Sequence, residues 1–140
     1  MALRWYSVVI NCHDIAAQAR WWQEVLDWTI VYEDEHEVAL IPKHASIDPV
    51  EAADWHRQPQ GLVFVPVPEG KTVKNRLHLD LAPHTRQDRD AEIARLLEMG
   101  ATKVDVGQSD DVTWTVLADP EGNEFCVLRA LRPDELAATG

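Results

Sequence analysis

The chain has 140 residues, enough for one domain of ordinary size or two small modules, and its 46% apolar and 26% charged residues exclude a disordered or collagen-like chain. Thirteen basic against 24 acidic residues leave a net charge of −11, and no basic cluster offers the patch that nucleic-acid phosphates or an anionic membrane surface would require. No run approaches the ~18 apolar residues of a membrane span, residues 1–10 lack a signal-peptide pattern, and Cys12 and Cys126 are too few for a disulfide framework, so a cytoplasmic protein with two buried thiols is expected.

Residues 5–12 (WYSVVINC) are rich in β-branched side chains and predict a strand. Asp14 can cap a helix over 15–26, which turns Ile15, Ala19, Trp22 and Leu26 to one face. Its end falls on Asp27, where glycine is usual because a residue with a Cβ adopts the left-handed conformation less readily. Trp21 and Trp22 are neighbours, so only one is expected to meet the sheet, the other covering the partner module or a subunit contact. Strands over 28–32 and 37–41 flank the acidic run Glu33-Asp34-Glu35-His36, a solvated hairpin turn. The segment 42–60, with three prolines and Trp55-His56, is a long loop for a compact domain. Strand 61–67 (GLVFVPV) follows, with Pro66 arguing for an edge or a bulge.

The second half repeats this order. Residues 75–81 (NRLHLDL) alternate as a strand, and 86–99 form an amphipathic helix with Ile93, Leu96 and Leu97 inward and Gly100 as its stop signal. Strands over 102–106 and 112–117 flank Asp110-Asp111, and Asp119-Pro120-Glu121-Gly122-Asn123 turns into a last strand over 124–129. Residues 59–64 (PQGLVF) align with 120–125 (PEGNEF) at Pro, Gly and Phe, the mark of a duplicated module of about 60 residues. Modules this small are expected to share a sheet and to pair as a homodimer.

The segments INCHDIAAQARWWQEVLDW, VPEGKTVKNRLHLDL, LLEMGATKV and LADPEGNEFCVL, in this order, resemble the vicinal oxygen chelate superfamily of glyoxalases, bleomycin-resistance proteins and extradiol dioxygenases, and within it the compact glyoxalase-like subgroup. The resemblance implies an α+β fold of two βαβββ modules, forming curled mixed sheets around a cavity with helices on the outer face. It implies a single glyoxalase-like domain over 1–140, with module one at about 3–67 and module two at about 74–130.

Metal-dependent members of that superfamily draw ligands from the first and last strands of each module. In module two these positions fall on His78 and Glu124, both suited to a divalent cation. In module one, counting back from the helix matches His78 to Ser7, and the PQGLVF repeat matches Glu124 to Val63, with Leu62, Phe64 and Val65 as the neighbouring registers. Module one therefore supplies no strong ligand, and two ligands fall short of the usual three or four. Cys12, His13 or His56 could complete a set, but nothing in their spacing asks for it. No metal cofactor is expected; a divalent metal, if bound, would retain only His78 and Glu124. The other reading makes these two a polar pair in a cavity that binds an organic molecule directly.

Neighbouring side chains on a strand point to opposite faces. Leu77, Leu79 and Leu81 should therefore lie under the helix, with Arg76, His78 and Asp80 on the cavity side; Glu124 and Cys126 share the cavity side, while Phe125, Val127 and Cys12 face the helices. Arg76 could clamp an anionic ligand or neutralise Glu124, or reach the rim and pair near Asp80. Trp114 could line the cavity as a stacking wall or pack as an ordinary core residue, and Trp55 could close over the cavity or anchor a surface loop. His13, His36, His44 and His84 belong to no constellation.

Two functions remain. One is a small-molecule-binding protein of the glyoxalase/bleomycin-resistance type, with candidate ligand-binding residues Ser7, Trp55, Arg76, His78, Trp114 and Glu124. A cationic ligand suits the acidic charge, which is −7 in residues 1–70 and −4 in 71–140. The alternative is a metal-dependent glyoxalase-, isomerase- or dioxygenase-type enzyme acting on a small oxygenated substrate, in which Glu124 or His78 moves a proton.

Overall fold

A computed structural model describes residues 3–45, 52–84, 88–105 and 114–129. The chain divides into two compact units, Met1–Gly70 and Lys71–Gly140. The first runs β1 (Ser7–Cys12), α1 (Ile15–Leu26), β2 (Thr29–Glu33), β3 (Val38–Ile41), the single turn α2 (Ala52–Trp55) and β4 (Gly61–Pro66). The second runs β5 (Leu79–Leu81), α3 (Arg89–Glu98), β6 (Thr102–Lys103), β7 (Trp114–Ala118) and β8 (Glu124–Leu128). The sheet orders are β1-β4-β3-β2 and β5-β8-β7-β6, so the same topology occurs twice. Each module builds its own four-stranded mixed sheet, which corrects the expectation of a shared one. The reason is the crossover: a helix after the first strand lets that strand pair in parallel with the last strand of the same module.

Local chemistry explains the element ends. Asp14 caps α1 by accepting from the Ala17 amide at 3.1 Å. The helix stops at Asp27, which takes the left-handed conformation with φ 55° and pairs with Lys43 at 2.7 Å. Asp34 folds the β2–β3 turn, its Oδ1 accepting from the His36 and Glu37 amides at 2.7 and 2.9 Å. Helix α3 begins at Arg89 rather than at 86, because Asp88 supplies the cap by accepting from the Asp90 amide at 2.9 Å. At its other end Gly100, with φ 111°, lets the Ala101 amide reach Leu96 O at 3.0 Å, closing a Schellman motif.

The cores follow the strand alternation. In the first unit α1 packs on β3 and β4, burying Ile15, Ala19 and Trp22 against Val38, Leu40, Leu62 and Phe64. In the second, α3 packs on β8, and the buried set includes Ile93, Leu96, Leu117, Phe125 and Val127, with Leu97 half-buried. Both tryptophans of α1 are buried within the chain itself. Trp21 and Trp22 meet edge to face, 5.1 Å between centroids and 79° between planes, so a broad apolar helix face holds two residues about 100° apart.

Three strands differ from expectation. Strand β5 covers only 79–81, not 75–81, and Leu77 is 89% exposed instead of packing under the helix. Strand β4 is an inner strand despite Pro66, which is tolerated as its last residue, beyond the stretch that pairs with β3. Strand β6 ends at Lys103; the Asp110-Asp111 turn and the start of the strand expected from 112 lie outside the described residues. Among the described residues no helix is long and apolar enough to cross a membrane.

Candidate functional site

The face of the second sheet turned away from α3 forms the wall of a cavity of about 280 Å³. Strand register builds it row by row. Asp80 of β5 lies opposite Cys126 of β8, and Cys126 opposite Val116 of β7; Trp114 lies opposite Leu128. All five residues line the cavity, joined by His78 just before β5, by Glu124 at the start of β8, and by Lys74 and Asn75 from the preceding loop. The wall is therefore apolar at Trp114, Val116 and Leu128 and polar where β5 meets β8.

Glu124 is committed to the loop that precedes β5. Its Oε1 accepts from Lys71 Nζ at 3.0 Å and its Oε2 from the Asn75 amide at 3.1 Å, while Lys71 also donates to Val73 O. Both side chains are largely shielded, at 11% and 20% exposed. Burial pushes the Glu124 carboxyl up, but the Lys71 hydrogen bond, backbone amides and the Lys71 charge together hold it below its ordinary value. The clamp also explains why β5 is short: the Asn75 amide goes to a carboxylate and not to a strand partner. Behind this loop Gly122 takes φ 91°, a backbone conformation that favours glycine.

Beside the clamp, His78 Nε2 and Asp80 Oδ1 are 3.1 Å apart, and with Cys126 Sγ they form a cluster whose ligand atoms all lie within 4.8 Å of one another. Cys126 is buried, and its thiol is pushed up by that burial and then by Asp80; Lys74 opposes the rise.

The other expected site residues separate. Trp114, 39% exposed, is a wall of this cavity. Arg76 is exposed and does not line it. Ser7 is half-buried on β1, opposite Gly61, and belongs to the first unit. Trp55 also belongs to the first unit, where it packs on Tyr6 at 6.1 Å beneath the Arg4 guanidinium at 4.5 Å. Asp80 and Cys126 fall on the cavity face that strand parity gives them, but no motif singles them out. Lys71 and Lys74 lie before the alternating segment, and nothing in the pattern marks Asn75, its first residue, for the site.

Register also replaces the Ser7 match. Leu79 pairs with Phe125 and Ile10 with Phe64, so stepping back one residue sets His78 beside Glu124 and Val9 beside Val63. The module-one counterpart of His78 is thus Val9. By this register the four positions expected from the resemblance hold Val9, Val63, His78 and Glu124, the last accepting from Lys71 and the Asn75 amide.

A family model for the glyoxalase-like domain matches residues 7–128. No curated protein matches the sequence significantly. Among solved structures, a glyoxalase/bleomycin resistance protein/dioxygenase family enzyme from Burkholderia phytofirmans is similar, with TM-score 0.65 and 19% identity over 92% of this chain and 100% of that one. So is the fosfomycin resistance protein FosX from Listeria monocytogenes, complexed with Mn(II) and sulfate, with TM-score 0.67 and 9% identity over the whole of both chains. FosX from Mesorhizobium loti has TM-score 0.65 and 13% identity over 98% of this chain and 99% of that one. At these identities the structures share the fold. With a family model spanning both modules, the chain belongs to the glyoxalase-like domain family of the vicinal oxygen chelate superfamily.

Proposed function

We propose that the protein is a glyoxalase/bleomycin-resistance-like small-molecule-binding protein whose ligand enters the cavity of the second unit and does not rely on the superfamily's four-position metal site. The observation that supports this most is the state of Glu124. A carboxylate that accepts from Lys71 on one oxygen and from the Asn75 amide on the other helps build the cavity wall, with His78, Asp80 and Trp114 beside it to meet a ligand. An apolar wall with a few convergent polar groups is the usual form of an organic ligand site. The chain's charge of −11 favours cationic ligands over anionic ones. Two buried cysteines outside any disulfide suit a reducing cytoplasm, and exposed apolar residues of the first sheet, Val9 and Tyr32, suit a homodimer contact. In this reading the modules make one domain over 1–140, with Ser7, Arg76 and Trp55 outside the binding wall.

The test is tryptophan fluorescence of the full chain titrated with small cationic, neutral and anionic organic compounds. A saturable change that disappears in Trp114→Phe and persists in Trp55→Phe is expected; a response confined to Trp55 overturns the assignment. A second reading, a metal-dependent enzyme, is favoured by the Mn(II) in the Listeria neighbour. Mn(II)-dependent turnover of a small oxygenated substrate would establish it.

A further inference from the structure

We propose that residues 71–78 are a two-state gate on the cavity of the second unit, latched by Glu124 in this structure and released by zipping onto β8 as an extension of β5. The proposal rests on the reading of this cavity as the ligand site. Lys74, Asn75 and His78 of this segment line the cavity, so its position sets what can enter. The latched cavity of about 280 Å³ lies below the ~300–1,000 Å³ of most ligand clefts, so admitting a ligand of ordinary size requires a wall that moves.

One residue carries the fastening. Among the described residues, the only hydrogen bonds that tie 71–77 to the rest of the second unit come from Lys71 Nζ and the Asn75 amide, and both end on Glu124. Lys71 also donates to Val73 O, so its release loosens the bend beside it. Packing adds little to the hold, because the segment's apolar side chains Val73 and Leu77 are 74% and 89% exposed. A segment held by a few polar contacts, with little apolar burial, opens without unfolding the sheet beneath it.

The first unit carries the alternative conformation. There β1 pairs with β4 from Ser7 onward, so Val8 and Val9 lie opposite Leu62 and Val63. Their equivalents Leu77 and His78 are unpaired, although NRLHLDL alternates as a strand would. The chemical difference is the residue opposite, Val63 in one unit and Glu124 in the other: valine offers no acceptor to draw the segment away, and the strand closes. Zipping brings Leu77 to the position of the half-buried Val8, whereas latching satisfies a shielded carboxylate and ammonium. Each state gains what the other gives up, apolar burial and ladder bonds against charge-assisted ones. The Tyr6 and Cys12 carbonyls accept from the Gly61 and Val67 amides, which makes Val8 a residue whose backbone faces β4, and Leu77 its equivalent toward β8. In the latched state the Leu77 amide has no hydrogen-bond partner among the described residues.

The experiment compares Glu124→Val, which installs the first unit's residue, and Lys71→Met with the unaltered full chain, all without ligand. Amide exchange is resolved by NMR, and alkylation of Cys126 by N-ethylmaleimide is followed by mass spectrometry. Exchange at Asn75 should speed up and at Leu77 slow down, opposite changes two residues apart that fraying cannot produce. Cys126, a cavity-wall thiol 7% exposed, should be alkylated at least about tenfold faster in both variants, with Cys12 of the first unit unchanged. The two variants change charge in opposite directions, so a common acceleration is not an effect of charge on the thiol. Arg76→Gln removes a positive charge from the same segment but no fastening, and it should change neither reading. Exchange at Phe125 and Val127 should stay slow, since β8 keeps its partners. Faster exchange at Asn75 and Leu77 together, unchanged Cys126 alkylation, or β8 amides that exchange as fast as the segment's overturns the proposal. No ligand enters these measurements, so their failure is distinguishable from failure of the Trp114 fluorescence test.

Discussion

The two sheets have one topology and two chemistries. In the first unit the face turned away from α1 presents Val9, Asn11, Val63 and Val65, while in the second the corresponding positions carry His78, Asp80, Glu124 and Cys126. The helix-facing sides, by contrast, keep the same character: Phe64 and Phe125 are equivalent and almost fully buried. Burial against a helix constrains a strand position to an apolar side chain of fitting volume, whereas the opposite face is free to diverge. Duplication has therefore preserved the core and specialised the open face.

The sharpest test of that equivalence is a matched pair of core truncations. Phe64→Ala and Phe125→Ala should each cost about 3–5 kcal/mol in chemical denaturation. A cost near zero for either would break the comparison at its core.

The next test concerns what only the second unit has. Glu124→Gln should cost about 1–3 kcal/mol, since it leaves the shielded Lys71 ammonium without its carboxylate. Hydrogen exchange at the Asn75 amide should speed up. Unchanged exchange there would mean that the loop is held by something other than Glu124.

A smaller effect separates the two helix ends. Both close with a residue at positive φ, but α3 uses Gly100 and α1 uses Asp27. Asp27→Gly should stabilise by about 0.5 kcal/mol, the relief of the left-handed Cβ offset in part by the added freedom of the unfolded chain. A lower melting temperature would show that the exposed Lys43 pair matters more than the backbone.

The smallest effect is on the first unit's surface, where Arg20 grips Glu33 through two hydrogen bonds of 2.9 and 3.0 Å. The Arg20 hydrogen bond holds the Glu33 carboxyl below its ordinary value, burial opposing slightly. A lowered folded-state value means that this contribution is present above the unfolded carboxyl pKa and is lost as pH falls through the folded one. Arg20→Gln should move the Glu33 midpoint upward in an NMR titration, with little change in melting temperature.

Particular residues show how far the sequence could be read. Helix α1 has the bounds expected of it because Asp14 and a 3.6-residue apolar period are local signals. The alternation in NRLHLDL looks equally clear, yet only Leu79–Leu81 pair, because a strand ends where its hydrogen-bond partners end. Parity placed His78, Asp80, Glu124 and Cys126 on one face correctly. It could not reveal that Glu124 is bound by Lys71, 53 residues away, or that the counterpart of His78 is Val9 and not Ser7.

By itself the sequence determined the order of elements, their duplication, the caps and turns, and which faces are buried. These follow from periodicity and from side chains acting within a few residues of themselves. The tertiary structure decided which polar groups meet: the Glu124–Lys71–Asn75 clamp, the His78–Asp80–Cys126 cluster, and the pairing of Trp21 with Trp22 inside the core. Those contacts depend on strand register, loop closure and packing, which fix atoms to within an ångström or two across long stretches of chain.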